Sequence, residues 1–144
     1  MGVFGVREVI GVTDAEGDRA SWTFAAQPDA VRDARAAVRG QLRTWRLDPL
    51  GDITALLVSE LVTNSLRHAT GPIGVLLVRP AAALDGVLRV EVSDPLPDLP
   101  REREARAEDE GGRGLRLVAL VSRRWGTRPG ANGKTVWFEL TVPG

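Results

Sequence analysis

A chain of 144 residues, 43% hydrophobic and 26% charged, has enough apolar material for one soluble domain with a core. Its formal net charge is zero, which removes any bulk electrostatic case for nucleic acid or an anionic membrane surface. It has no cysteine, which excludes disulfides, thiolate metal sites and a cysteine nucleophile. The longest apolar runs, such as Val75-Leu76-Leu77-Val78, are too short to span a bilayer. Residues 1–20 lack the basic start, apolar run and cleavage site of a signal peptide, so a cytoplasmic location is expected.

Residues 1–20 are weakly patterned and read as a partly ordered lead-in, with a short strand at Val3–Val6. One domain then fills residues 21–144. Ser21–Ala25 alternates as a strand does. Pro28-Asp29 opens a helix whose apolar positions Val31, Ala34, Val38, Leu42 and Trp45 keep the helical period. Asp48-Pro49 is a start signal for the next helix, with Asp48 as N-cap and Pro49 in the first helical position. Ile53, Leu56, Leu57, Leu61 and Leu66 are its expected core face, and it ends near Gly71-Pro72.

Ile73–Arg79 reads as a buried strand and Pro80–Gly86 as a turn. Val87–Ser93 alternates, with Leu88, Val90 and Val92 on one face, and delivers Asp94 at its end. Pro95 to Pro100 is stiff and cannot continue a ladder. Arg101–Glu110 is almost all Arg, Glu, Asp and Ala; most of it reads as a solvated loop or frayed helix, yet so long a loop inside a domain suggests a lid, spanning 95–111. Gly111-Gly112-Arg113-Gly114 ends it. Leu115, Val118, Ala119 and Ser122 then have helical spacing, with a stop at Gly126. Arg124–Arg128 and Thr135–Val142 form a last hairpin around Asn132-Gly133, with Val136, Phe138, Leu140 and Val142 on one face and Trp137 on the other. Adjacent strands without helices between them predict a mixed, mostly antiparallel sheet. Helices would cover one face, giving a two-layer α/β sandwich.

Three polar residues interrupt the second long helix at Glu60, Asn64 and His68. Their i, i+4, i+8 spacing makes one stripe. A carboxylate and an amide oxygen suit a hard cation such as Mg²⁺, which also takes phosphate oxygens. An ordinary surface stripe is the alternative. The glycine turn at a helix N-terminus is favourable for phosphate, a signal that is weak by itself.

Taken together, Glu60-x-x-x-Asn64-x-x-x-His68, strand-end Asp94, Gly112-x-Gly114 and Gly133-Lys134-Thr135 stand in a set order. The chain resembles the GHKL-type, histidine kinase-like ATPase domain with its Bergerat fold. Within that group it is most similar to the stand-alone anti-sigma factor serine/threonine kinases. The resemblance covers roughly residues 20–142. Residues 60–69 match the N-box, and Gly112-Arg113-Gly114-Leu115 with the residues after it matches the second glycine box.

The resemblance implies ATP and Mg²⁺ as ligands. Asn64 would ligate the metal, and Glu60 would be the general base. Asp94 would accept from the adenine amino group. Gly112, Arg113, Gly114 and Leu115 would hold phosphates, and Thr135 would lie near the nucleotide. His68 is open between a site role and a structural hydrogen bond. The implied partners are a sigma factor, which is sequestered, and an anti-sigma factor antagonist, which is phosphorylated; no direct nucleic acid or membrane contact is implied, and a homodimer is left open. One motif departs from the family. Where it has Asp-x-Gly-x-Gly, this chain has Asp94-Pro95-Leu96-Pro97-Asp98, which puts bulk beside the base. A non-catalytic or degenerate nucleotide-binding switch is therefore the second reading.

Overall fold

The computed structural model describes residues 12–13, 18–68, 71–79, 86–95, 112–130 and 133–143. The strand expected at Val3–Val6 and residues 96–111 of the expected lid lie outside the described residues, as does Asn132. The elements run β1 (Val12–Thr13), β2 (Arg19–Phe24), α1 (Asp29–Thr44), α2 (Gly51–His68), β3 (Ile73–Val78), β4 (Val87–Asp94), α3 (Gly112–Val121), β5 (Arg124–Gly130) and β6 (Gly133–Thr141). The strands form one sheet in the order β1-β2-β3-β4-β6-β5, with every described pairing antiparallel. This is the two-layer α/β sandwich expected from adjacent strands without helices between them, with α1 packed on α2 and α2 on α3. Among the described residues no helix is long and apolar enough to cross a membrane.

The core lies between the layers. Val38 and Leu42 of α1 and Leu57, Val58, Leu61 and Val62 of α2 are buried. They meet Val75, Leu77, Leu88, Val90, Val92, Val136, Phe138 and Leu140 from the sheet. The strict in–out alternation of β3, β4 and β6 supplies that face, since side chains of period two reach one side only at every second residue. Helix α1 closes with Arg46 at a φ of 60° and a bond from Leu47 N–H to the Leu42 carbonyl, which terminates it before Pro49.

Four details differ from the sequence reading. Asp48-Pro49-Leu50 is a separate 3₁₀ turn without a side-chain cap, and the α-helix proper starts at Gly51 and ends at His68. Proline fixes φ but does not by itself choose between the two helical hydrogen-bond patterns. Leu56 is 43% exposed, because the buried arc of α2 runs through Ala55, Val58, Leu61, Val62 and Ser65; Leu56 precedes Glu60 by one turn on the polar stripe. α3 stops at Val121, and Gly126 belongs to β5. There it faces Trp137, whose indole would stand 2.9 Å from any Cβ at that position. Val12–Thr13, unanticipated, adds an edge to the sheet.

The face away from the helices carries a charge lattice. Arg89 bonds Glu91 at 2.9 Å and Glu139 at 3.1 Å, Arg128 bonds Glu91 at 2.9 Å, and Arg89 lies 4.3 Å over the Trp137 ring. Burial pushes the Glu91 carboxyl up, but the hydrogen bonds and charges of Arg89 and Arg128 outweigh it and hold the group below its ordinary value. A carboxyl depressed in the folded state stabilises the fold above its unfolded pKa, and that contribution fades as pH falls through the folded one. Glu91→Gln is therefore expected to flatten the acid limb of stability, measured as urea midpoints from pH 7 down to pH 3. An unchanged acid limb would separate Glu91 from acid sensitivity.

Candidate functional site

Helix α2 brings the site together. Glu60 and Asn64 are half-buried, one turn apart on the side of α2 not committed to the core. Asn64 Oδ1 is buried and has no hydrogen-bond partner among the described residues. An unpaired buried carbonyl oxygen costs about 1–3 kcal/mol, so such an atom asks for a ligand. It suits a hard cation, and this is the test that the donor set passes.

Asp94 is the last residue of β4. It continues the inward face of Leu88, Val90 and Val92 and is 5% exposed. Ser65, also buried, donates its hydroxyl to Asp94 Oδ2 at 3.2 Å. Sequence reading missed Ser65. Its signal is position: it stands one turn after Leu61, on the buried side of α2, where an apolar residue would otherwise be expected.

The N-terminal turn of α3 abuts α2 at Glu60. A Cβ on Gly114 would lie 3.5 Å from Glu60 Cβ and 3.6 Å from its carbonyl oxygen, so the glycine allows close approach of the two helices. The first amides of α3, from Gly112 to Gly114, come before the first i→i−4 bond of the helix, which suits them to an anion. Leu115 itself packs partly against the core. The side chains of His68, Gly112 and Arg113 are outside the described residues.

Thr135 lines a cavity with Asp94, Pro95 and Gly133 rather than with Glu60 and Asn64. Val136, Phe138 and Leu140 face the helices, so Thr135 faces the other way and shares a 2.8 Å hydrogen bond with Ser93. What Gly133 contributes is backbone. At φ 153° it passes so close to Asp94 that an added Cβ would sit 2.0 Å from the Asp94 carbonyl oxygen and 2.7 Å from Pro95 Cα. On the opposite side Gly71 admits the Pro95 ring, 2.9 Å from where a Cβ would be. Glycines on neighbouring segments thus let the chain pack closely around Asp94 and Pro95.

The arrangement predicts that Ser65→Ala weakens ATP binding roughly 3- to 10-fold through loss of one charge-assisted hydrogen bond, while inorganic tripolyphosphate binding is unchanged. Ser65→Thr should restore it. Equal loss for both ligands would make Ser65 a packing residue.

No curated protein matches the chain. Among solved structures it is similar to the histidine kinase domain from Erythrobacter litoralis EL346 blue-light activated histidine kinase, at 27% identity and a TM-score of 0.44, over 64% of this chain and 44% of that one. The chain therefore matches less than half the length of that structure. Residues 24–140 match the histidine kinase-like ATPase domain, a span that contains Glu60, Asn64, Asp94 and Gly114. The chain belongs to the histidine kinase-like ATPase domain family.

Proposed function

We propose that this chain is an ATP- and Mg²⁺-binding regulatory serine/threonine kinase that sequesters a sigma factor and phosphorylates an anti-sigma factor antagonist. Membership of the family carries ATP binding. The observation that carries the reading further is the unpartnered Asn64 Oδ1, one turn from a carboxylate and one residue from Ser65, the partner of Asp94. Asn64 would hold Mg²⁺, which when bound neutralises phosphate charge. Asp94, oriented by Ser65, would accept from the adenine amino group. The free amides of α3 would hold phosphate oxygens.

Glu60 stands beside the α3 amides, where an acceptor hydroxyl would meet the terminal phosphate. It takes the hydroxyl proton as the new O–P bond forms and the bond from phosphorus to the ADP oxygen breaks. Phosphoryl transfer of this kind asks the protein mainly for positioning and charge, which these groups supply.

The test is γ-phosphate transfer from ATP to a Ser-bearing antagonist protein. Glu60→Gln should keep ATP affinity within about 3-fold and lose about 100- to 10,000-fold in turnover, as expected for a general base. Turnover within a few-fold of wild type would make Glu60 structural. The second reading, a switch that binds nucleotide without transfer, draws on Pro95, whose ring stands after Asp94 in place of a freely adjusting residue. Tight ATP binding with no transfer by the wild type would favour it.

A further inference from the structure

The sheet edge formed by β5, with the end of α3, differs in charge from the rest of the molecule. Residues 112–130 contain five Arg and no acidic residue, although the chain as a whole is neutral. Arg124 and Arg128 turn to the helix-free face and pair with Glu139 and Glu91. Arg116 and Arg123 are exposed and have no ion-pair partner among the described residues.

Apolar side chains stand among these arginines. Leu120 is 82% exposed, one turn after Arg116 on α3, with Val121 beside it at 39%. Trp125 pairs with Phe138, so the pleat puts its ring on the helix side of the sheet, beside α3, at 38% exposure. Among the described residues β5 ends the sheet, which leaves one side of its backbone without a neighbouring strand there.

We propose that the α3–β5 edge docks an extended, acidic segment of a partner protein that carries apolar anchor residues. Its backbone adds to β5 from Arg124 up to Pro129, where the missing N–H ends the ladder. Its apolar side chains cover Leu120, Val121 and Trp125, and its carboxylates meet Arg116 and Arg123. Charge selects this occupant. A second copy of the same edge would set Arg116 and Arg123 against their own copies, with no acidic residue in 112–130 to offset them. Nucleic acid would leave the aliphatic Leu120 and Val121 at the centre without a stacking partner. The inference goes beyond the kinase reading and needs neither nucleotide nor transfer, since none of these residues belongs to the Glu60–Asn64–Asp94 cleft.

The test is selection of a random peptide library on the full chain, followed by anisotropy titration of the enriched peptides. They should be acidic with apolar residues at alternate positions and should weaken with added salt. Leu120→Asp/Trp125→Ser and Arg116→Glu/Arg123→Glu should each weaken them about 10-fold or more, with ATP affinity and melting unchanged. The second variant alters only exposed residues and carries the test if the first does not fold. No enrichment, neutral or basic peptides, or equal binding by both variants would overturn the proposal. So would a dimer in sedimentation that Leu120→Asp/Trp125→Ser dissolves, or displacement of the peptides by a single-stranded oligonucleotide.

Discussion

Asn64→Ala is expected to lose roughly 100-fold or more in Mg²⁺-dependent ATP affinity while the fold becomes no less stable. The two halves of that expectation have one cause. Asn64 Oδ1 is buried without a partner among the described residues, so the folded chain without ligand bears the cost of an unsatisfied carbonyl. Alanine removes that atom and also has the higher helix propensity, so stability should hold or rise by about 1 kcal/mol. Sites that bind often trade stability in this way. Equilibrium dialysis with labelled ATP and a urea melt of the same sample read both quantities. A variant that binds normally would take Asn64 out of the site. One that binds poorly because it is unfolded would make the amide structural.

Gly133→Ala should be the most damaging single-methyl change in the site region. The added carbon would overlap the Asp94 carbonyl and Pro95 Cα, which are backbone atoms and cannot rotate away. The φ of 153° is strained for any side chain as well. To relieve the contact, the start of β6 must leave β4 and break the pairing of Asp94 with Lys134. A loss of about 3 kcal/mol or more is expected, at the upper end for overpacking. ATP affinity should fall with it, because Asp94 moves away from Ser65. Urea denaturation and nucleotide titration measure the two effects. A change below about 0.5 kcal/mol would mean that the strand crossing at Asp94 yields easily.

Much of this was legible in the residues for identifiable reasons. The stripe on α2 is a period-3.6 signal, and Glu60 and Asn64 lie on it as read. Asp94 keeps the parity of Leu88, Val90 and Val92, so its inward direction follows from alternation alone. The same alternation, applied to Val136, Phe138 and Leu140, turns Thr135 to the other face of β6, where it lines a cavity with Asp94 and Gly133. Leu56 was misplaced because apolar character does not reveal where a buried arc ends; α2 needs contact with α1 and the sheet, and Leu56 lies outside both. Ser65 and the packing of Gly133 on Asp94 depend on contacts between segments far apart in sequence, which no local pattern encodes.

The cleft between Glu60, Asn64, Asp94 and the start of α3 is expected to bind ATP with Mg²⁺. Calorimetric titration of the wild-type chain with ATP, with and without Mg²⁺, tests it most directly. The expected result is saturable binding of one nucleotide per chain that weakens by about 10-fold or more when Mg²⁺ is withheld. No heat of binding at millimolar ATP, or equal affinity with and without the metal, would contradict it.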